Sequence, residues 1–320
     1  METQISEPAG ERPRAAVTVV IPAYGVGAMI RDAIDSVYAQ DRADWEIIVV
    51  DDGDTRAGAH VASYLSDPRI RFLETDNGGP STARNRGMKE VVTPYIALLD
   101  GDDIYEPDFL SSMIAALEAS PKIGFVTSDA TFFGADRIGE LFSSRCPQSL
   151  PASLERVLRR EFNVFAMTVM RREAIMGVGG FDTSLISSED LDVWIRLIEA
   201  GWELAYVPRP LVRYRRRAGQ ASRNSGGMLR TALTVTERAR TRLAGRPEAL
   251  AADEMCARIE RQILIDDGFR HLGEGELSRA LSEFDRAGHD QLSPRWRRAL
   301  RVLRVAPFLA PLLMRLRRAL

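Results

Sequence analysis

Cysteine, histidine and lysine are scarce in this chain of 320 residues. Its two cysteines, Cys146 and Cys256, stand far apart and form no CxxC pair. Neither a disulfide framework nor a structural zinc site is expected, which fits a reducing cytosol. Three histidines (His60, His271 and His289) leave a histidine-ligated catalytic metal almost nothing to work with. Lysine occurs only at Lys89 and Lys122, with arginine in its place throughout, a matter of genome composition. Charge of one sign is lacking too. There are 43 basic and 45 acidic residues, a net charge of −2, so a globally basic nucleic-acid binder is excluded and no nucleic-acid partner is expected. No run reaches the roughly 20 apolar residues of a membrane-spanning helix. The stretch from Met1 to Arg14 is polar, without the apolar core of a signal peptide. A cytoplasmic protein, soluble or peripheral on the inner face of the cell membrane, is the expectation.

Apolar residues make up 45% of the chain and charged residues 28%, ample for a globular core. The charge is unevenly spread. The last thirty residues hold eight arginines and no acid.

In chain order, Val17–Ile21 and Ile47–Val50 are short β-branched runs, the pattern of strands buried on both faces. Helical spacing joins Ile30, Ile34, Val37 and Tyr38. Further strands are expected at Ile70–Leu73, Tyr95–Leu99, Ile123–Thr127, Val164–Met170, Leu204–Val207 and Leu211–Tyr214. Helices are expected over 80–92, with proline in the first turn, and over 107–119 and 189–201. This alternation predicts an α/β fold with a mainly parallel central sheet. Residues 223–227 are the expected linker. Beyond them the chain reads as a C-terminal α-helical region, over 228–243, 249–272, 277–287 and the arginine-rich end. Residues 1–15 form a polar tail, 16–222 the α/β domain and 223–320 the helical region.

Ligands bind beyond the carboxyl ends of such strands, and acids gather there. Asp51-Asp52 follows the second strand, Asp100-Gly101-Asp102-Asp103 follows Ala97-Leu98-Leu99, and Glu189-Asp190 opens a helix. Alone, each cluster is equally a solvated turn or a helix N-terminus.

With Pro22-Ala23-Tyr24, Asn77-Gly78-Gly79 and Ala83-Arg84-Asn85-Arg86-Gly87, these clusters form six motifs in order. The stretch from Ala16 to Arg217 thereby resembles the family-two inverting glycosyltransferases of the GT-A fold. The resemblance implies a nucleotide-sugar donor, most simply a UDP-sugar, and a divalent cation, Mn²⁺ or Mg²⁺, to neutralise its diphosphate. On the same basis Asp102 would bind the metal, and Asp100 would share it or hold the ribose. Asp103 is auxiliary. Asp51 and Asp52 match the nucleobase-binding acids, with Asp52 contacting the base. Pro22 and Tyr24 would flank it, and Arg84 would reach base or phosphates. Asp190 would be the general base that deprotonates the acceptor hydroxyl, beside Glu189. Gly25 departs from the family's asparagine. Among Arg213, Arg215, Arg216 and Arg217, arginine could clamp the diphosphate, with Arg215 singled out, or form a solvated loop. The glycine-rich turn Gly177–Gly180 is expected to be structural.

The QxxRW motif of processive synthases is missing, its nearest counterpart (Gln291 to Trp296) being one residue too long. Non-processive transfer to a glycan or lipid-linked acceptor in cell-surface polysaccharide biosynthesis is therefore expected. Residues 129–152 are the expected specificity loop. The basic end, 295–320, suits an anionic lipid surface or packing as an ordinary helix. Two other readings are a sugar nucleotidyltransferase, disfavoured because no GxGxR loop follows the first strand, and a non-catalytic sugar-nucleotide-binding scaffold.

Overall fold

The structure, a computed structural model, describes residues 15–54, 56–217 and 225–309. It divides into two compact units, 1–219 and 220–320.

The first unit is built on one eight-stranded sheet of order β3-β2-β1-β4-β7-β6-β8-β5. The strands are β1 (Val17–Ala23), β2 (Trp45–Asp51), β3 (Ile70–Glu74), β4 (Tyr95–Leu98), β5 (Ile104–Tyr105), β6 (Ile123–Gly134), β7 (Val169–Arg171) and β8 (Glu203–Arg216). From β3 to β4 the strands run parallel. β7 is antiparallel to both β4 and β6, β6 and β8 are parallel, and β5 is antiparallel to β8. The sheet is therefore mixed, and its parallel half is the half read from the β-branched runs.

Alternation along those runs builds two cores, because successive side chains leave opposite faces of a strand. Val17, Val19 and Ile21 pack with helices α1 (Met29–Tyr38), α2 (Ala57–Val61) and α4 (Phe109–Glu118). Val20, Ile48 and Val50 pack on the other face with α3 (Gly79–Met88), α6 (Arg172–Gly177) and α7 (Glu189–Glu199). A short helix, α5 (Leu154–Leu158), lies between β6 and β7 in sequence.

Several sequence expectations need correction. The two strands expected at 204–207 and 211–214 are one strand, β8, running through Pro208 and Pro210 with register shifts against β6 at Asp129. The strand expected over 164–170 forms only at Val169–Arg171. The loop expected from Asp129 begins as strand, since β6 extends to Gly134. Ser225–Gly227, placed in the linker, open helix α8 (Ser225–Arg242), while Arg223 and Asn224 lie outside the described residues.

The second unit contains α8, α9 (Ala249–Gly273), α10 (Leu277–Ala287) and α11 (Pro294–Val305). Ala232 of α8 packs with Met255 and Ile259 of α9. Phe269 packs edge-on against Phe284 and Trp296, at centroid distances of 4.9 and 4.8 Å, which joins α9, α10 and α11. Gly268 lets the Phe284 ring approach, because a Cβ there would lie 2.8 Å from it.

Candidate active site

The parallel register brings Ala23 at the end of β1 level with Asp51 at the end of β2. Asp100 follows β4, the other neighbour of β1. Three of the acidic or aromatic segments thus leave the sheet at one carboxyl edge.

Asp51 and Asp52 are buried. Asp51 Oδ1 accepts from the Asp54 amide at 2.7 Å, closing the turn in which Gly53 has a φ of +83°. The two carboxylate oxygens of Asp52 accept from the amides of Gly78 and Gly79, each at 2.9 Å, at the start of α3. A carboxylate on those unpaired amides also meets the positive end of the helix dipole. The amide of Asp52 donates to Ala23 O at 3.0 Å, tying this turn to β1. Beside it Tyr24 is 57% exposed, its ring open to solvent. The amide of Gly25 donates to Asp54 Oδ2 at 2.8 Å.

α3 carries Arg84 inward. Its guanidinium donates to Asp100 Oδ1 and to Glu189 Oε1, both at 2.8 Å, and lies 5.3 Å from the centre of the Phe181 ring. Burial works against this charge, yet the two carboxylates more than offset it and raise the pKa. Arg84 therefore fastens Asp100 to the first turn of α7, where Glu189 lies 105 positions from Arg84 in sequence. Asn85, one residue on, makes a two-way bond with the Phe181 backbone at 2.7 and 2.9 Å. Arg196 of α7 donates to Val178 O and Gly180 O. The glycine-rich turn is thus held from two helices, in line with a structural part.

The segment after β4 holds its acids differently. Asp100 is partly exposed, with a side-chain exposure of 31%. Asp102 is buried, and burial first, then the Asp100 charge, pushes its carboxyl up. Asp103 is fully buried, and burial with both neighbouring acids holds it well above the usual range. Its Oδ1 accepts from the amide of Arg215 at 2.7 Å. That fixes β8 against the acidic turn. Gly101 sits where a Cβ would lie 3.0 Å from Pro22 O, so β1 approaches the turn closely.

Of the basic cluster on β8, Arg215 is committed to the scaffold. It donates from Nε to Asp102 O and from an Nη to Asp32, both at 2.7 Å. The cation on the Asp102 carboxylate is Arg217, whose Nε donates to Oδ2 at 2.7 Å. The basic run marked the region, but which arginine reaches which oxygen appears only with the fold, Arg217 lying just past the end of β8. Arg213 lies over the Phe133 ring at 4.8 Å and Arg216 pairs with Asp136.

Asp190 lies in the first turn of α7, following Ser188 in the left-handed conformation at φ 56°. Its Oδ1 accepts from the Leu191 amide at 2.7 Å, and Oδ2 has no hydrogen-bond partner among the described residues. Burial, then the Glu189 charge, pushes the Asp190 carboxyl up to about 6. Arg160, also left-handed at φ 59°, puts an opposing positive charge near it, a residue the sequence did not mark. The structure therefore gathers two bonded groups, Arg84 with Asp100 and Glu189, and Arg215 and Arg217 with Asp102 and Asp103. They are joined within the acidic turn by the bond from the Asp103 amide to Asp100 O at 3.0 Å, with Asp190 adjoining through Glu189. Asp51, Asp52 and the Pro22–Tyr24 segment border it along the sheet edge.

The family model described as Glycosyl transferase family 2 matches residues 18–179. The succinoglycan biosynthesis protein ExoO of Rhizobium meliloti is 31% identical over 223 residues, which is 65% of this chain and 62% of that protein. The chain spans 30%, 23% and 26% of the lengths of three other curated relatives. Among solved structures, S. aureus TarS 1-349 in complex with UDP-GlcNAc aligns with a TM-score of 0.63 at 17% identity, covering 93% of this chain and 88% of that one. A mannosyltransferase from Pyrobaculum calidifontis, in complex with GDP-Man and Mn²⁺, aligns with a TM-score of 0.60 at 18% identity, covering 94% and 84%. These structural likenesses concern the fold, which is GT-A.

Proposed function

Because the chain belongs to glycosyl transferase family 2, we propose that it moves a sugar from a nucleotide-sugar donor, a UDP-sugar, to a hydroxyl acceptor, inverting the anomeric centre. The acceptor is a glycan or lipid-linked glycan, and the product a cell-surface polysaccharide or its precursor. The observation that carries this reading is Arg84, whose guanidinium joins Asp100 to Glu189 and so sets the acidic turn after β4, at Asp100, beside the first turn of α7.

The donor's nucleobase would lie between Tyr24 and the Asp51-Asp52 turn. Each Asp52 oxygen accepts one amide and keeps a second lone pair, which suits a base N–H. A divalent cation fits the acids after β4, since they are hard oxygen donors. Asp100 Oδ2 and Asp102 Oδ1 accept from no other residue among those described, and burial with the Asp100 charge raises the Asp102 pKa against the opposing Arg217 and its own backbone amide. Bound there, a cation would neutralise charge developing on the departing diphosphate.

Asp190 takes the proton of the acceptor hydroxyl as its oxygen bonds to the anomeric carbon. The bond from that carbon to the phosphate oxygen breaks, and the nucleoside diphosphate leaves with the electron pair. A carboxyl poised near 6 is largely ionised at neutral pH and still basic enough to accept a proton. Attack opposite the leaving group inverts the centre in one displacement.

The second unit supports a peripheral membrane contact. Leu300 and Leu303 of α11 are buried, whereas Arg295, Arg298, Arg301, Val302 and Val305 are exposed, an arginine-and-valine face suited to anionic lipid. Thermal shift with a panel of UDP-, GDP- and dTDP-sugars, with and without Mn²⁺, tests the donor assignment. Only a ligand that favours the native state raises the melting temperature.

A further inference from the structure

Arg217 joins two parts of the candidate donor site. Its Nε donates to Asp102 Oδ2 at 2.7 Å, and its Nη1 lies 3.4 Å from Gly25 O, in the segment that carries Tyr24. The Asp102 side chain is 9% exposed and that of Arg217 32%, so the pair is shielded on the carboxylate side and open on the other. Arg215, two residues back in β8, is held by the Asp103 and Asp32 carboxylates and by the Asp102 carbonyl. By contrast, the side chain of Arg217 is held by one carboxylate and by the longer Gly25 contact.

A divalent cation on Asp102 Oδ1 would share the carboxylate with the guanidinium on Oδ2. Both neutralise it, and the two positive charges repel at short range. From this geometry we infer that Arg217 is the resident counter-ion of Asp102 in the empty enzyme. An arriving divalent cation displaces it, and the freed guanidinium then binds the donor's diphosphate. This inference rests on the metal assignment to Asp102 and adds a second function for one side chain, as gatekeeper of the metal position and as an oxyanion ligand. Arginine suits both, since its planar fork matches carboxylate and phosphate alike. The chemical class recognised after the exchange is a nucleoside diphosphate with its cation. In the exchange no charge is stranded, because the carboxylate passes to the metal as the guanidinium passes to the phosphates.

The test is Mn²⁺ binding to the full chain without donor, followed by the electron-spin resonance signal of free Mn²⁺. Four proteins are compared: wild type, Arg217→Gln, Arg217→Lys and Asp102→Asn. Removing the competing charge in Arg217→Gln should tighten Mn²⁺ binding about tenfold, as expected for loss of one charged hydrogen bond. The lysine variant, which retains the charge, should stay within a few-fold of wild type. UDP binding at saturating Mn²⁺ should move the other way, weakening in Arg217→Gln, and a merely structural arginine would not give that opposed pair of shifts. Unchanged or weaker Mn²⁺ binding in Arg217→Gln, with binding still lost in Asp102→Asn, overturns the exchange and leaves the metal assignment standing. Mn²⁺ binding unaffected by Asp102→Asn overturns both.

Discussion

The chemistry assigned to Asp190 rests on a carboxyl held up near 6 by burial and by Glu189. As the base it must be ionised, so transfer should rise with pH through about 6 and level off above 7. Asp190→Asn should reduce turnover by roughly 10²–10⁴-fold, measured as nucleoside diphosphate release. Stability runs in the opposite direction. The folded carboxyl holds its proton more tightly than the unfolded chain, so its contribution is complete below the ordinary carboxylate range and is lost as pH rises through about 6. Asp190→Asn should therefore melt above wild type at pH 8, with the difference shrinking at pH 5. Arg84 gives the contrasting case. Replacing it by Met leaves Glu189 buried without its partner, which should cost about 3–5 kcal/mol of unfolding free energy in urea titrations. Adding Glu189→Gln should return part of that. The acids at strand ends were legible because an apolar β-branched run followed by Asp is a local pattern. The choice between Arg215 and Arg217 was not, because it depends on how far along the acidic turn each reaches once Asp103 has fixed the end of β8.

Among the elements, α3 carries the most site geometry in the fewest residues. Its N-terminus meets Asp52, its middle presents Arg84 and Asn85, and its last turn packs on β1 and β2. Gly87 permits that packing, since a Cβ would lie 2.6 Å from Val20 Cγ1 and 3.1 Å from Val50 Cγ2. Gly87→Ala should lower stability by about 1–2 kcal/mol in urea, the strain of overpacking exceeding the ~1 kcal/mol that alanine contributes to a helix. A stabilised variant would contradict this placement of α3. The Asn77-Gly78-Gly79 and Ala83–Gly87 motifs were visible in the sequence as letters, while their joint work, amides for Asp52 and a guanidinium for two distant acids, appears only with the fold. β5 escaped sequence reading because two residues carry no period. β8 was split in two because Pro208 and Pro210 read as a break, and the strand accommodates them through its irregular register with β6.

At the scale of the whole molecule, a GT-A unit shares the chain with a helical unit that has its own apolar clusters. The alternation of strands and helices announced the first, and unbroken helical spacing the second. If the exposed face of α11 meets lipid, replacing Arg295, Arg298 and Arg301 together by Gln should weaken binding to phosphatidylserine-containing vesicles about a hundredfold. This follows from about 1 kcal/mol for each arginine near an anionic surface. Sedimentation with vesicles measures it, and equal binding by both proteins would leave that face without a lipid role.

The central claim is that one cleft at the sheet's carboxyl edge grips a nucleotide sugar and a divalent cation together. Calorimetric titration of the full chain with UDP-sugars, with and without Mn²⁺, in wild type and in Asp102→Asn tests it most directly. The account predicts saturable binding that Mn²⁺ strengthens at least tenfold in wild type and does not strengthen in the variant. Binding that ignores both the cation and Asp102, or no binding of any nucleotide sugar, would contradict it.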